Sequence, residues 1–224
     1  MEKKKTVTKK KSVKMTTEKW ISSYMEYVLE HETVPKSVYK FAKENKSNEE
    51  EFYQSFGSLE AIQKEIWEQF YIKSVTLMQA APEVDSFSNR EKMLTFFYTF
   101  FEMLTANRSY VLFMLNRNES TLKNLEQLKG LRKNVKNFAK DLIAEDNDAK
   151  NIKLLQKNET VFSEGAWLQM MFLLKFWMDD NSSQFEKTDV AIEKSVNTIF
   201  DVFDNTPLER VLDFGKFLFK EKMA

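Results

Sequence analysis

Apolar residues along this 224-residue chain recur at spacings of three and four, the period of an amphipathic α-helix and not of a strand. The clearest run is Met93, Phe96, Phe97, Phe100, Phe101 and Leu104, which sets six bulky side chains on one helical face. Upstream, Trp20, Ile21, Tyr24, Tyr27 and Val28 predict a first helix, opening at Thr16 or Thr17 as N-cap and stopping near Glu32. Pro35 suits the first turn of a short second helix, with Val38, Phe41 and Ala42 inside and its end at Asn45. Ser47 as N-cap, with Glu50 as its capping-box partner, predicts a third short helix through Phe52, Tyr53 and Phe56. Gly57 ends it and Ser58 caps a fourth, whose Leu59, Ile62, Ile66 and Phe70 line one face as far as Ala80.

Beyond Pro82 and a loop over residues 85–89, the pattern predicts a short apolar helix over residues 110–115 and a more polar one over 119–144. The polar helix has only a narrow stripe of Leu122, Leu125 and Leu128. Two more helices follow, residues 161–178 and 189–203. The first of them is apolar nearly all round, at Trp167, Met170, Met171, Leu173, Leu174 and Trp177, so burial on more than one side is expected. A last helix opens at Thr206 and Pro207. In residues 207–223 it sets Leu208, Val211, Leu212, Phe214, Gly215, Leu218 and Phe219 on an arc of about 160°, with Phe217 among the polar residues opposite. That helix either docks on the core or on a dimer partner, or lies at a membrane interface.

The fold class expected is therefore all-α, with about nine to ten helices. Three brief helices within residues 16–60, the last two joined by a tight turn, make a helix-turn-helix domain, and residues 61–224 make a larger helical bundle. Residues 1–15 have no apolar period and read as a disordered basic tail. Lys3, Lys4, Lys5, Lys9, Lys10, Lys11 and Lys14 against Glu2 leave the first fourteen residues at +6, so the remainder of this neutral chain carries −6.

Composition removes whole classes of chemistry. Four glycines and three prolines leave almost nothing from which to build phosphate-cradling loops or dinucleotide fingerprints. The absence of cysteine removes thiolate metal sites and thiol nucleophiles, and is compatible with a reducing cytoplasm. With no spanning apolar run and no apolar leader, a soluble cytoplasmic protein is expected. The single histidine, His31, sits at a helix end between Glu30 and Glu32 without partners for catalysis or metal binding, and the dipole there accounts for it. No enzyme, cofactor or metal is expected.

The stretch Val38-Tyr39-Lys40-Phe41-Ala42, then Ser47, then Phe52-Tyr53-Gln54-Ser55-Phe56-Gly57-Ser58-Leu59-Glu60-Ala61-Ile62 resembles the N-terminal signature of TetR-family regulators. In that family a recognition helix ends in Tyr-x-x-Phe and is followed by Ser-Lys-Glu opening a long connecting helix. The resemblance covers residues 17–67 and implies a DNA-binding helix-turn-helix, here with Lys36, Ser37, Lys46, Ser47, Asn48, Glu49, Tyr53 and Gln54 as the candidate contacts. It also implies an Ω-shaped homodimer, joined here through residues 161–203, and an apolar small molecule or lipid in the larger domain.

Two departures weigh against the DNA reading. The turn that would face the major groove is Asn48, Glu49, Glu50 and Glu51, and residues 15–60 hold five Lys against nine Glu, a net −4 that repels phosphate. Leu59 also stands where the family's Lys would anchor a phosphate. The basic tail offers replacement cations. Candidate ligand residues are Phe97, Phe101, Met114, Trp167, Met170, Met171, Leu174 and Trp177, with Phe172 beside them and Glu164, Gln169 and Lys175 to orient a polar head. The layout is also similar to TetR-like lipid-binding proteins of coenzyme Q biosynthesis, which lack DNA binding and use a C-terminal amphipathic helix at membranes. Two roles thus stand side by side: a ligand-responsive DNA-binding regulator, and a lipid carrier contacting membranes through residues 207–223.

Overall fold

The computed structural model describes residues 15–148 and 158–205, all of them helix, turn or loop with no strand. The basic tail before Met15 and the amphipathic segment 207–223 lie outside the described residues. The chain separates into two compact units, Met1–Ile66 and Trp67–Ala224.

In the first unit, α1 (Thr17–His31) opens on Thr16, whose side chain accepts from the Lys19 amide. It buries Trp20, Tyr24 and Val28. The second helix, α2 (Val38–Glu44), is capped by Ser37, so Pro35 precedes the helix instead of sitting in its first turn. A cap needs a side-chain acceptor, which Ser37 has and proline lacks. The Trp20 ring meets Phe41 at 5.5 Å and Phe52 at 5.3 Å, and Tyr24 meets Phe41 at 5.7 Å. These rings build one aromatic core from all three short helices.

The third helix, α3 (Glu49–Tyr53), is capped by Asn48 and not by Ser47. Ser47 is already used in ending α2: its amide bonds to the Ala42 carbonyl while the Lys46 amide bonds to the Lys43 carbonyl. This is a Schellman closure, with Lys46 in the left-handed region at φ 57°. The cap therefore falls one residue later, and Glu51 takes the place expected for Glu50. Ser58 caps α4 (Leu59–Gln79) through the Ala61 amide, as expected. Within the first unit Gln63 Nε2 donates to the Tyr24 hydroxyl at 2.7 Å.

The second unit is a helical bundle. A full capping box at Ser88 and Glu91 opens α5 (Asn89–Ala106), whose six expected apolar residues are all buried. After α6 (Arg108–Asn116), the single polar helix expected over residues 119–144 is broken into α7 (Thr121–Leu125), a 3-10 turn over Glu126–Leu128, and α8 (Lys129–Asp148). The break carries buried Gln127, which accepts from Trp67 Nε1 at 2.9 Å and donates to the carbonyls of Met114 and Asn124. Satisfying three buried partners outweighs helical continuity there. Leu122 is left 79% exposed, so the stripe expected to run through it does not form.

The bundle closes with α9 (Glu159–Asp179) and α10 (Glu186–Asn205), which pack on each other, α9 also on α8 and α10 also on α5. Contrary to the expected burial on more than one side, α9 buries one face, through Phe162, Ala166, Met170, Leu173, Leu174 and Trp177. On its other face Leu168 is 69% and Phe172 54% exposed.

Candidate functional site

The α2-turn-α3 corner holds the residues read from the sequence as DNA contacts. Several of their oxygens already work for the fold. Ser37 Oγ accepts from the Lys40 amide at 3.3 Å, and Asn48 Oδ1 accepts from the Glu51 amide at 2.9 Å. Ser47 Oγ donates to the Glu51 carboxylate. Lys36, Lys46, Asn48, Tyr53 and Gln54 reach solvent, and Glu49 is half-buried. Tyr39 is 56% exposed with the Lys43 ammonium 5.8 Å from its ring centre. Tyr39 and Lys43 were missed as candidates. The signal was their i, i+4 spacing opposite the buried Val38, Phe41 and Ala42.

A groove of about 970 Å³ runs between α9 and α10, lined mainly by Leu168, Phe172, Phe176, Val190, Ala191 and Ile199. Near its floor Gln169 Nε2 donates to Ser195 Oγ at 2.9 Å. Gly165 also lines it, and a methyl there would come no closer than 3.9 Å to Phe203. The groove is missed when α9 is read as core alone. Its signal was the same excess of apolar residues, more than one buried face can hold.

The eight residues singled out for a ligand do not share one cavity. Phe97, Met114 and Met170 are packed in the interior. Phe101 and Trp177 edge a cleft of about 700 Å³ with Glu102, Gln184, Phe185 and Asp189. Met171 and Leu174 line a smaller one of about 490 Å³ with Leu115, Leu125, Lys175 and Met178. Trp167 is half-buried and lines none of these clefts. Of the polar groups, Glu164 is bridged to Lys136 and to Arg132, whose hydrogen bonds hold its carboxyl below the usual range. Lys175 is paired with Asp179 at 2.6 Å.

Arg108 ties α6 to the far end of α9. Its guanidinium donates to the carbonyls of Trp177, Met178 and Asp180 and lies 4.4 Å from the ring centres of both Trp177 and Phe185. A cation at the first position of α6 opposes that helix's dipole, but it caps the carbonyl end of α9. Just beyond, the Asp180 carboxylate accepts from the amides and hydroxyls of Ser182 and Thr188. Burial alone would raise its pKa; the four hydrogen bonds outweigh that and bring it down to about 2.

A family model described as "Tetracyclin repressor-like, C-terminal domain" matches residues 92–218, more than half of the chain. The chain belongs to the TetR family. No curated protein and no solved structure matches it. The match lies within the second TetR unit, which contains the groove, both clefts and the Arg108 cap. Among the described residues no group of three or more His, Cys, Asp or Glu could hold a metal ion. No helix there is long and apolar enough to cross a membrane. His31 stacks on Tyr27 at 4.2 Å, with Nδ1 3.0 Å from the Tyr27 carbonyl.

Proposed function

We propose that this TetR-family chain is a dimeric, ligand-responsive transcriptional regulator. The observation that carries the reading is the open apolar groove along α9 and α10. Two helices of 21 and 20 residues lying side by side offer a face roughly 30 Å long, large enough for a partner burying about 800 Å². An isologous contact sets the same patch of a second copy against it, burying Leu168 and Phe172 in both. Dimerisation then brings two helix-turn-helix units to one duplex.

In this reading Lys36, Lys46 and Tyr53 contact phosphates and Gln54 reaches a base edge. An apolar effector enters beside Met171 and Leu174, or beside Phe101 and Trp177, and favours one arrangement of the paired units over another. Gel-shift titration of genomic fragments at low salt against a polyanion competitor tests the DNA role. A sequence-selective shift is expected, and shifts equal to the polyanion control would refute it.

One observation favours the alternative, a TetR-fold lipid carrier without DNA binding: Glu50 is exposed in the turn that would meet phosphate, with Glu49 half-exposed next to it. Mass spectrometry of lipid retained by the purified protein separates the two. Stoichiometric lipid together with no selective gel shift would establish the carrier.

A further inference from the structure

The second helix carries a face that the fold does not use. Val38, Phe41 and Ala42 turn inward, which leaves Tyr39, Lys40 and Lys43 on an outward arc of about 100° at the usual 100° per residue. All three are exposed. Lys36 precedes the helix and Lys46 follows it, so residues 36–46 hold four lysines against Glu44 alone, a net +3. None of the four is bridged to a carboxylate among the described residues. Like charges three and four positions apart on a helix repel each other, and here no internal partner offsets the cost. An anion outside the chain would. The Lys43 ammonium also lies 5.8 Å from the ring centre of Tyr39, within cation–π range, so the ring holds the lysine alongside the tyrosine hydroxyl.

Resting on the DNA-binding reading, we propose that Lys40 and Lys43 of α2 are the principal phosphate anchors of this chain, with Tyr39 as the positioning residue that holds Lys43. Ammonium groups and a hydroxyl are donors that phosphate oxygens accept, and they carry no demand on base sequence. The acids sit on the next helix. Of the three in α3, Glu51 is taken up within the fold by the Met15 amide at 2.8 Å and by Ser47 Oγ, while Glu50 is exposed and Glu49 half-buried. Phosphate is therefore attracted along α2 and repelled at the first turn of α3, which sets the duplex backbone against α2. A membrane is the poorer partner for this strip, because residues 36–46 expose no aliphatic side chain for a bilayer to take up.

The test is fluorescence anisotropy of the full-length chain on a short mixed-sequence DNA duplex over a range of salt concentrations. Lys40→Gln and Lys43→Gln should each flatten the slope of log affinity against log salt by about 0.9 and weaken binding roughly tenfold near 0.1 M salt. Lys64→Gln, an exposed lysine of α4, should change neither. Tyr39→Phe keeps the ring and should leave the slope as in wild type. Tyr39→Ala frees the lysine and should weaken binding further, by a loss that disappears once Lys43 is already Gln. All of these side chains are exposed, so thermal melts should superimpose on wild type and the losses report contact with DNA. If Lys40→Gln and Lys43→Gln bind as tightly as wild type, or if Lys64→Gln flattens the slope equally, the strip on α2 is refuted while DNA binding stands. A Tyr39→Ala loss that persists beside Lys43→Gln would refute the positioning role. If the wild-type chain binds the duplex no better than it binds heparin, the DNA-binding reading falls and this inference with it.

Discussion

Phe172 and Leu173 are neighbours on α9 with opposite environments, so one substitution at each tests the proposed dimerisation separately from folding. Phe172 is 54% exposed in the single chain, and Leu173 is fully buried. A phenylalanine side chain carries roughly 200 Å² of surface, so about 100 Å² remains to be covered at each Phe172. At about 25 cal/mol per Å² this is worth roughly 2.5 kcal/mol per copy, and an isologous interface counts it twice, for about 5 kcal/mol. Phe172→Ala should then raise the dimer dissociation constant by roughly a thousandfold or more. It should leave the melting behaviour of the dissociated monomer almost unchanged. Leu173→Ala should instead cost about 2–5 kcal/mol of folding stability through the cavity it leaves. Sedimentation velocity over a wide concentration range, paired with urea unfolding, reads both effects. A wild-type chain that stays monomeric at every concentration, or a Phe172→Ala variant that dimerises like wild type, would refute the argument.

Three further outcomes follow from the geometry. Lys46→Gly removes the cost of a side chain at φ 57° and should raise folding stability by about 0.5–1 kcal/mol in urea unfolding, while weakening DNA binding through loss of a cation. A lower unfolding midpoint would contradict the Schellman assignment. Asp180→Asn turns one acceptor into a donor facing the Thr188 amide and should cost about 1–3 kcal/mol. Because the Asp180 carboxyl is depressed to about 2 from an ordinary 3.8, its contribution is complete above about pH 4 and lost as the pH falls towards 2. The stability difference between wild type and Asp180→Asn should shrink over that window, and a pH-independent difference would rule this out. Arg108→Met strips donors from three carbonyls at the end of α9 and should cost about 2–4 kcal/mol, with Arg108→Lys intermediate. Equal stability of the lysine variant and wild type would show that the planar, stacked guanidinium is not needed.

Where one strong period ran without competition, as in α5, the sequence predicted both the helix and its buried face. The start of α4 was equally legible, because Ser58 had no rival acceptor beside it. Cap position failed where two acceptors were adjacent. Ser47 and Asn48 can both open a helix, and the choice was made by the end of α2, whose closure uses the Ser47 amide. That closure depends on a lysine adopting a left-handed backbone, for which side-chain chemistry carries almost no signal. The break at residues 126–128 was hidden for a related reason. Gln127 reads as a surface residue until Trp67, sixty positions away, supplies it with a buried partner.

The residues of α9 were legible as apolar but not as to which surface would bury them. A helix apolar all round is satisfied equally by a thick core and by a thin core plus a second copy, and periodicity cannot separate the two. In the single chain Leu168 and Phe172 remain exposed while Met170, Leu173 and Leu174 do not, and that exposed face is the one the proposed second copy would cover. The same ambiguity explains the scatter of the expected ligand residues. Phe97, Met114 and Met170 have the size and polarisability of pocket walls, but they fill the space they enclose. Among the described residues the groove and the two clefts lie at the unit's margins, where α9 meets α10, α7 and the turn around Phe185. In the regulator reading proposed above, an effector entering either cleft touches α9, the helix whose exposed face lines the groove proposed to meet a second copy. Ligand affinity and dimer affinity should accordingly be coupled, and by the same factor in both directions.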